Sequence, residues 1–235
     1  MSETGTFHAC LRCDLRKRSL FGVLCDNDCN RVDLQKSSLR YKPSEVIYDE
    51  GSRPKGVYCV SRGSIKILKT GTEGKEQILK VAKAGALLGY RNIITNEQHA
   101  NSAIALEETE LCFLPRALFV ELMANNEDLR SGLMREVCQE YDELADTLTD
   151  IAQKPVRERT AATLLMLMDT YGLDSIENSP LDINVSREDM ANMVGTATET
   201  LIRSLKELKK EGFIETKGRK IKVLNGRGLL GLVRS

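Results

Sequence analysis

The chain has 235 residues, 41% of them apolar and 29% charged, with 34 Lys and Arg balanced by 34 Asp and Glu. This composition excludes a disordered or fibrous chain, and the length exceeds what one core of ordinary size requires, so two modest domains are expected. No apolar run approaches the roughly 20 residues that span a bilayer, and the start MSETGTFHACLRCDLRKRS lacks a secretory apolar stretch, which makes the cytoplasm the expected compartment.

The first elements along the chain are cysteines. Cys10, Cys13, Cys25 and Cys29 follow the spacing C-x2-C-x11-C-x3-C, and Cys59, Cys112 and Cys138 complete a set of seven. In a reducing compartment they are candidates for metal, redox or packing roles and poor candidates for a disulfide framework. Short strands are then expected at Glu45 to Tyr48, Gly56 to Val60, Ser64 to Lys69, Gln77 to Val81, Ser102 to Leu106 and Glu110 to Leu114. Turn signals such as Glu50-Gly51, Arg62-Gly63, Glu73-Gly74 and Ala84-Gly85 separate them, which predicts a small roll, barrel or sandwich.

After Pro115 the period changes from two to three and four. Met134, Val137, Tyr141, Leu144, Leu148 and Ile151 form a heptad stripe along one long helix, with acidic residues on its other faces. So narrow a seam predicts pairing with a second copy of the chain, against the alternative of packing on the chain's own sensor domain. Lys154-Pro155 breaks the helix. A further helix is expected from Val156 to Tyr171, a loop from Ser175 to Pro180 and a short strand from Leu181 to Val185.

Ser186 with Asp189 three residues on reads as a capping pair opening a helix to about Val194, and Gly195 makes a turn. Thr196 with Glu199 repeats the capping pattern, and Gly212 ends the second helix. Two short helices about a glycine turn predict a helix-turn-helix. On the second helix Leu201, Leu205 and Leu208 share one face and Glu199, Arg203, Lys206 and Lys210 the other. An arginine there can grip guanine O6 and N7, and a glutamate can accept from cytosine N4. Phe213 to Leu224 reads as a hairpin with the basic tip Lys217-Gly218-Arg219-Lys220, a wing whose cations suit phosphates. From Thr196 onward ten Lys or Arg stand against four Glu, a surplus of six positive charges in a chain of zero net charge. That asymmetry points to a polyanion at one end.

At Thr198-Glu199-Thr200-Leu201-Ile202-Arg203, within Val185 to Gly212, and over the strand-rich segment Lys42 to Pro115, the sequence resembles the Crp/Fnr family of transcription regulators. The resemblance covers nearly the whole chain. It implies an α+β protein with an N-terminal cyclic-nucleotide-binding-like β-roll (1–125), a dimerisation helix (126–153) and a C-terminal winged helix-turn-helix (154–235). It implies a homodimer that binds a palindrome in double-stranded DNA with TGA-like half-sites and that recruits or blocks RNA polymerase, with no membrane attachment. Expected DNA contacts are Ser186, Thr196, Thr198, Glu199, Thr200, Arg203, Lys206, Lys210, Lys217, Arg219 and Lys220. Where the family holds a cyclic nucleotide with a glutamate and an arginine, this chain has Gly89-Tyr90 and Asn101-Ser102, so cyclic AMP is not expected, although Arg91 offers a charge from another direction.

Oxygen-sensing relatives hold a four-iron cluster with three N-terminal cysteines and a distal one. Cys112 occupies the distal place, but Ser19 stands at the third N-terminal place, which leaves Cys25 or Cys29 to complete Cys10, Cys13 and Cys112. Iron–sulfur, zinc and no metal all stay open, and Cys59 and Cys138 are expected to be packing residues. His8 and His99 have no catalytic neighbours, and neither a P-loop nor a dinucleotide fingerprint occurs, so no enzyme is expected. The competing reading is a ligand-sensing roll or scaffold whose winged helix contacts protein.

Overall fold

The computed structural model describes residues 9–172 and 182–233; His8, the loop expected at Ser175 to Pro180 and the strand start at Leu181 lie outside the described residues. The chain divides into two compact units, one from its start through Thr70 with Leu79–Tyr141, the other from Asp142 onward with Gly71–Ile78.

The first unit carries the β-roll. One sheet has the strand order β1 (Ser37–Tyr41), β8 (Thr109–Pro115), β3 (Gly56–Arg62), β6 (Leu87–Leu88). The other runs β2 (Val46–Tyr48), β7 (Ser102–Ala105), β4 (Ile65–Thr70), β5 (Glu76–Ala82). Alternation decides which side chains go inside. Tyr58 and Val60 of β3 and Leu111 of β8 join Ile65, Ile67 and Ala103 in the interior of the roll. Val57, Cys59 and Leu114 belong to a second core on the other face of that sheet. The six expected strands are present with ends shifted by no more than two residues. Sequence reading misses β1, whose five residues include a single aliphatic side chain, and β6, too short to show any period.

The second core is covered by N-terminal 3-10 turns, by α1 (Asp26–Gln35) and by α3 (Arg116–Asn125). Cys29 and Val32 of α1, Phe21, and Leu118, Phe119 and Leu122 of α3 pack together there. A short α2 (Tyr90–Thr95) adds Tyr90 and Ile93. The long helix α4 (Glu127–Gln153) anchors in this core through Leu129 and Leu133.

In the second unit α5 (Val156–Tyr171) starts directly after Pro155, which sits at the helix N-cap. It packs with α6 (Arg187–Val194), α7 (Thr198–Lys210) and α8 (Gly226–Val233) around Leu164, Leu167, Met190, Leu201, Leu205, Leu208 and Leu229. The strands β10 (Ile214–Lys217) and β11 (Lys220–Val223) pair antiparallel from Ile214↔Val223 to Lys217↔Lys220, and β11 also pairs with β9 (Ile183–Asn184). This is a winged helix-turn-helix.

Gly195 takes φ +70° between α6 and α7, the left-handed conformation such a turn needs. The Ser186 hydroxyl accepts from the Asp189 amide at 2.9 Å and donates to the Asp189 carboxylate at 2.7 Å, a complete capping pair. The second expected cap is corrected: α7 starts at Thr198 with Ala197 at its N-cap, and no side chain caps it, Thr196 lying one residue too early. Ser186→Ala should therefore cost about 1 kcal/mol of stability and Thr196→Ala almost nothing, as read by urea unfolding of the two variants.

Candidate nucleic-acid interface and thiol pocket

Helix α7 has two faces of opposite character. Leu201 and Leu208 are fully buried and Leu205 nearly so, whereas Glu199, Ile202, Arg203, Lys206 and Lys210 are exposed. Burying three leucines at i, i+4 and i+7 fixes the rotation of the helix about its axis, and the charged side chains must then point outward. Thr198 and Thr200 lie at its first turn, and Thr200 Oγ1 receives a hydrogen bond from Arg203 Nη2 at 3.3 Å. The uncapped start of the helix presents backbone N–H groups to the same side, a place suited to an anion.

Lys217, Gly218, Arg219 and Lys220 form the exposed tip of the hairpin. Lys220 pairs with Asp182 at 3.2 Å, but both side chains are about half exposed, and such a pair is readily exchanged for a phosphate. Sequence reading missed Arg187. Its guanidinium donates to the carbonyl oxygens of Arg219 at 3.1 Å and Gly218 at 3.0 Å, tying the hairpin tip to the first turn of α6. Its sequence signal, an arginine just after a capping serine, looks like any surface cation. The hydroxyl of Ser186 is committed to its cap in both directions, so this residue orients α6.

Along α4 the expected stripe is exposed over most of its length. Met134 is 65%, Tyr141 72% and Leu148 69% accessible, Leu144 and Ile151 about 40%, and only Val137 leans on the core of its own unit. Cys138, expected as a packing residue, is exposed. In the roll, Asn101 is buried where a phosphate-binding arginine was sought, and His99 stacks on Tyr48 at 4.0 Å, with burial pushing its pKa down. Arg91 is engaged at 3.8 Å by Glu140, which also pairs with Lys80.

The cysteines divide into two groups. Cys10, Cys13, Cys59 and Cys112 line one cavity of about 50 Å³, with Arg16, Ser19 and Lys36 among its other walls. Cys59 and Cys112 are register partners on β3 and β8 and so lie directly across from one another on one face of the sheet. Cys10 is held from outside by the carboxylate of Asp33, which accepts from its backbone amide at 2.8 and 2.9 Å. Burial pushes the Cys10 and Cys59 thiols up to about 12, and raises Cys112 despite the opposing charge of Lys36.

Cys29 and Cys25 lie outside this lining, although the Cys29 thiol shares a side-chain hydrogen bond with Cys10. Cys29 is fully buried, and its sulfur accepts from Arg16 Nη1 at 2.8 Å. Cys25 is exposed at the N-cap of α1, where its sulfur accepts from the Asp28 amide. Cys59, assigned to packing from the sequence, faces the cavity. Among the described residues no three His, Cys, Asp or Glu side chains are drawn together tightly enough to grip a single ion. A thiol kept protonated is a poor nucleophile. In native protein at neutral pH, iodoacetamide should therefore modify the exposed Cys25 and Cys138 within minutes and leave Cys10 and Cys59 unmodified, as peptide mass mapping would read.

The sequence model of the cyclic nucleotide-binding domain matches residues 38–126, and that of the Crp-like helix-turn-helix domain matches residues 158–232. The fumarate and nitrate reduction regulatory protein of Vibrio cholerae is 26% identical over 226 residues, covering 95% of this chain and 89% of that one. Electron transport regulator A of Shewanella oneidensis is 29% identical, covering 87% and 84%. A solved transcriptional regulator of Thermus thermophilus, described as Crp/Fnr family, shares the fold with a TM-score of 0.72 at 24% identity, covering 85% of this chain and 99% of that one.

Proposed function

Because this chain belongs to the Crp/Fnr family of transcription regulators, we propose that it binds a palindromic DNA site as a homodimer, recruits or blocks RNA polymerase there, and answers a redox, oxygen or small-molecule signal other than cyclic AMP. The observation that carries the DNA reading is the outward face of α7. Arg203 offers a planar two-pronged donor to guanine O6 and N7, and Glu199, one turn earlier, accepts from cytosine N4, so the two read neighbouring base pairs of one half-site. Lys206, Lys210, Lys217, Arg219 and Lys220 meet phosphates, which gives affinity without sequence information. Arg187 holds the wing tip at the height where its cations reach the backbone.

The homodimer reading is supported by the exposed stripe from Met134 to Ile151. Apolar side chains at heptad spacing are stable in water only when another helix covers them. Twice the chain's 26.2 kDa is about 52 kDa. The reading that cyclic AMP is not the effector is supported by the buried Asn101, which stands where the family places a phosphate-binding arginine. No helix among the described residues is long and apolar enough to cross a membrane.

Binding-site selection followed by titration tests the DNA reading. Arg203→Ala should lose about 1 to 3 kcal/mol on the selected site and little on random DNA, whereas Lys206→Ala should weaken both alike and reduce the salt slope by about one unit. Equal losses for Arg203→Ala on both DNAs would make it a backbone contact. Sedimentation tests the assembly: wild type should run as a dimer of about 52 kDa, and Leu144→Glu should shift it toward monomer. A wild-type monomer under conditions where it binds its site would refute the paired helix.

A further inference from the structure

We infer that Arg159 is a positioning residue for DNA reading, which clasps the end of α4 to the turn of the helix-turn-helix and so fixes the half-site spacing that the dimer accepts. The inference rests on the proposal that the chain reads a palindrome as a homodimer, and it names the residue that sets the distance between the two reading helices.

Three observations from the second unit carry it. The first is the reach of one guanidinium. From the first turn of α5, Arg159 Nη1 donates to the carbonyl oxygen of Ile151 in α4 at 2.6 Å, and Nη2 donates to that of Gly195, between α6 and α7, at 3.4 Å. The end of the long helix and the start of the reading helix thus share one planar, forked donor.

The second is packing at the same spot. A Cβ placed on Gly195 would stand 3.4 Å from Ile151 Cδ1 and 3.5 Å from Ile151 Cγ1. The last side chain of the apolar stripe therefore lies beside the turn that sets the entry of α7. The third is what the clasp costs. Arg159 Nε is buried with no hydrogen-bond partner among the described residues. Burying such a donor unpaired is unfavourable. A cation that merely met the last carbonyls of α4 would need only the bond to Ile151 and could stay in water.

The consequence is geometric. Only Lys154 and Pro155 lie between the end of α4 at Gln153 and the start of α5 at Val156. A link of two residues is a hinge unless a second contact closes it. With the clasp closed, the course of α4 dictates where α7 stands, and pairing of two copies along the stripe then holds the two α7 helices at one separation. One inserted base pair moves a half-site by about 3.4 Å and turns it by about a tenth of a revolution. A closed hinge cannot follow that change, whereas an open one can.

The test titrates the full chain against the selected palindrome, against the same palindrome with one base pair inserted or removed at its centre, and against a single half-site. Wild type should lose about tenfold or more in affinity on either altered spacing, because its second half can no longer engage. Arg159→Met keeps the length of the side chain without its donors. It should bind the single half-site like wild type, lose about tenfold on the original palindrome, and differ by no more than about threefold among the three spacings. The half-site arm also reports folding. If Arg159→Met binds no DNA at all, Arg159→Lys decides by the same readouts, with a flattened profile at unchanged half-site affinity expected. A wild-type spacing profile in the variant, or an equal loss on half-site and palindrome, would overturn the inference and leave the DNA reading standing. Failure of wild type to prefer any palindrome over random DNA would overturn both.

Discussion

The burial of Leu201, Leu205 and Leu208 is the contact on which the arrangement of the second unit depends. A helix of 13 residues surrounded by water is marginal by itself, and this one is held by the apolar stripe it places against α5 and α6. Once that stripe is fixed, the opposite face has no freedom. Glu199 and Arg203 project from the first turns, and Lys206 and Lys210 follow along the same side. Gly195 sets the entry of the helix, and the Arg187 clasp sets the height of the wing. Packing inside the unit thus determines which chemical groups stand outside it.

The first unit applies the same logic to a different end. Strict alternation along β3 and β8 sends Tyr58, Val60 and Leu111 into the roll and leaves Cys59 and Cys112 facing the second core. A sheet is a rigid platform, so two sulfurs on it keep their spacing whatever the N-terminal turn does. Cys10 and Cys13 sit on that turn, which is anchored by the Asp33 carboxylate.

The elements that sequence made legible are those whose signal is periodic. The stripe of α4, the strands from Val46 to Pro115 and the leucine face of α7 all repeat at the spacing of their own geometry, and the structure contains each of them. The resemblance in Thr198 to Arg203 then located the charged face. What stayed hidden depends on tertiary approach. Cys59 looks like a small apolar strand residue until its register partner proves to be Cys112, and Arg187 looks like a solvated cation until the wing folds back over it. Thr196 failed for a local reason, because a capping pattern in sequence does not say at which residue the chain begins to turn.

The central claim is that the outer face of α7 reads base edges, and a double-mutant cycle between protein and DNA tests it most directly. Glu199→Ala and Arg203→Ala would each be titrated against the selected half-site and against every single base-pair substitution of it. The account predicts that each side chain couples to one or two adjacent base pairs by about 1 to 3 kcal/mol and to the others by nothing measurable. Coupling spread evenly over all positions, or absent at every one, would contradict it.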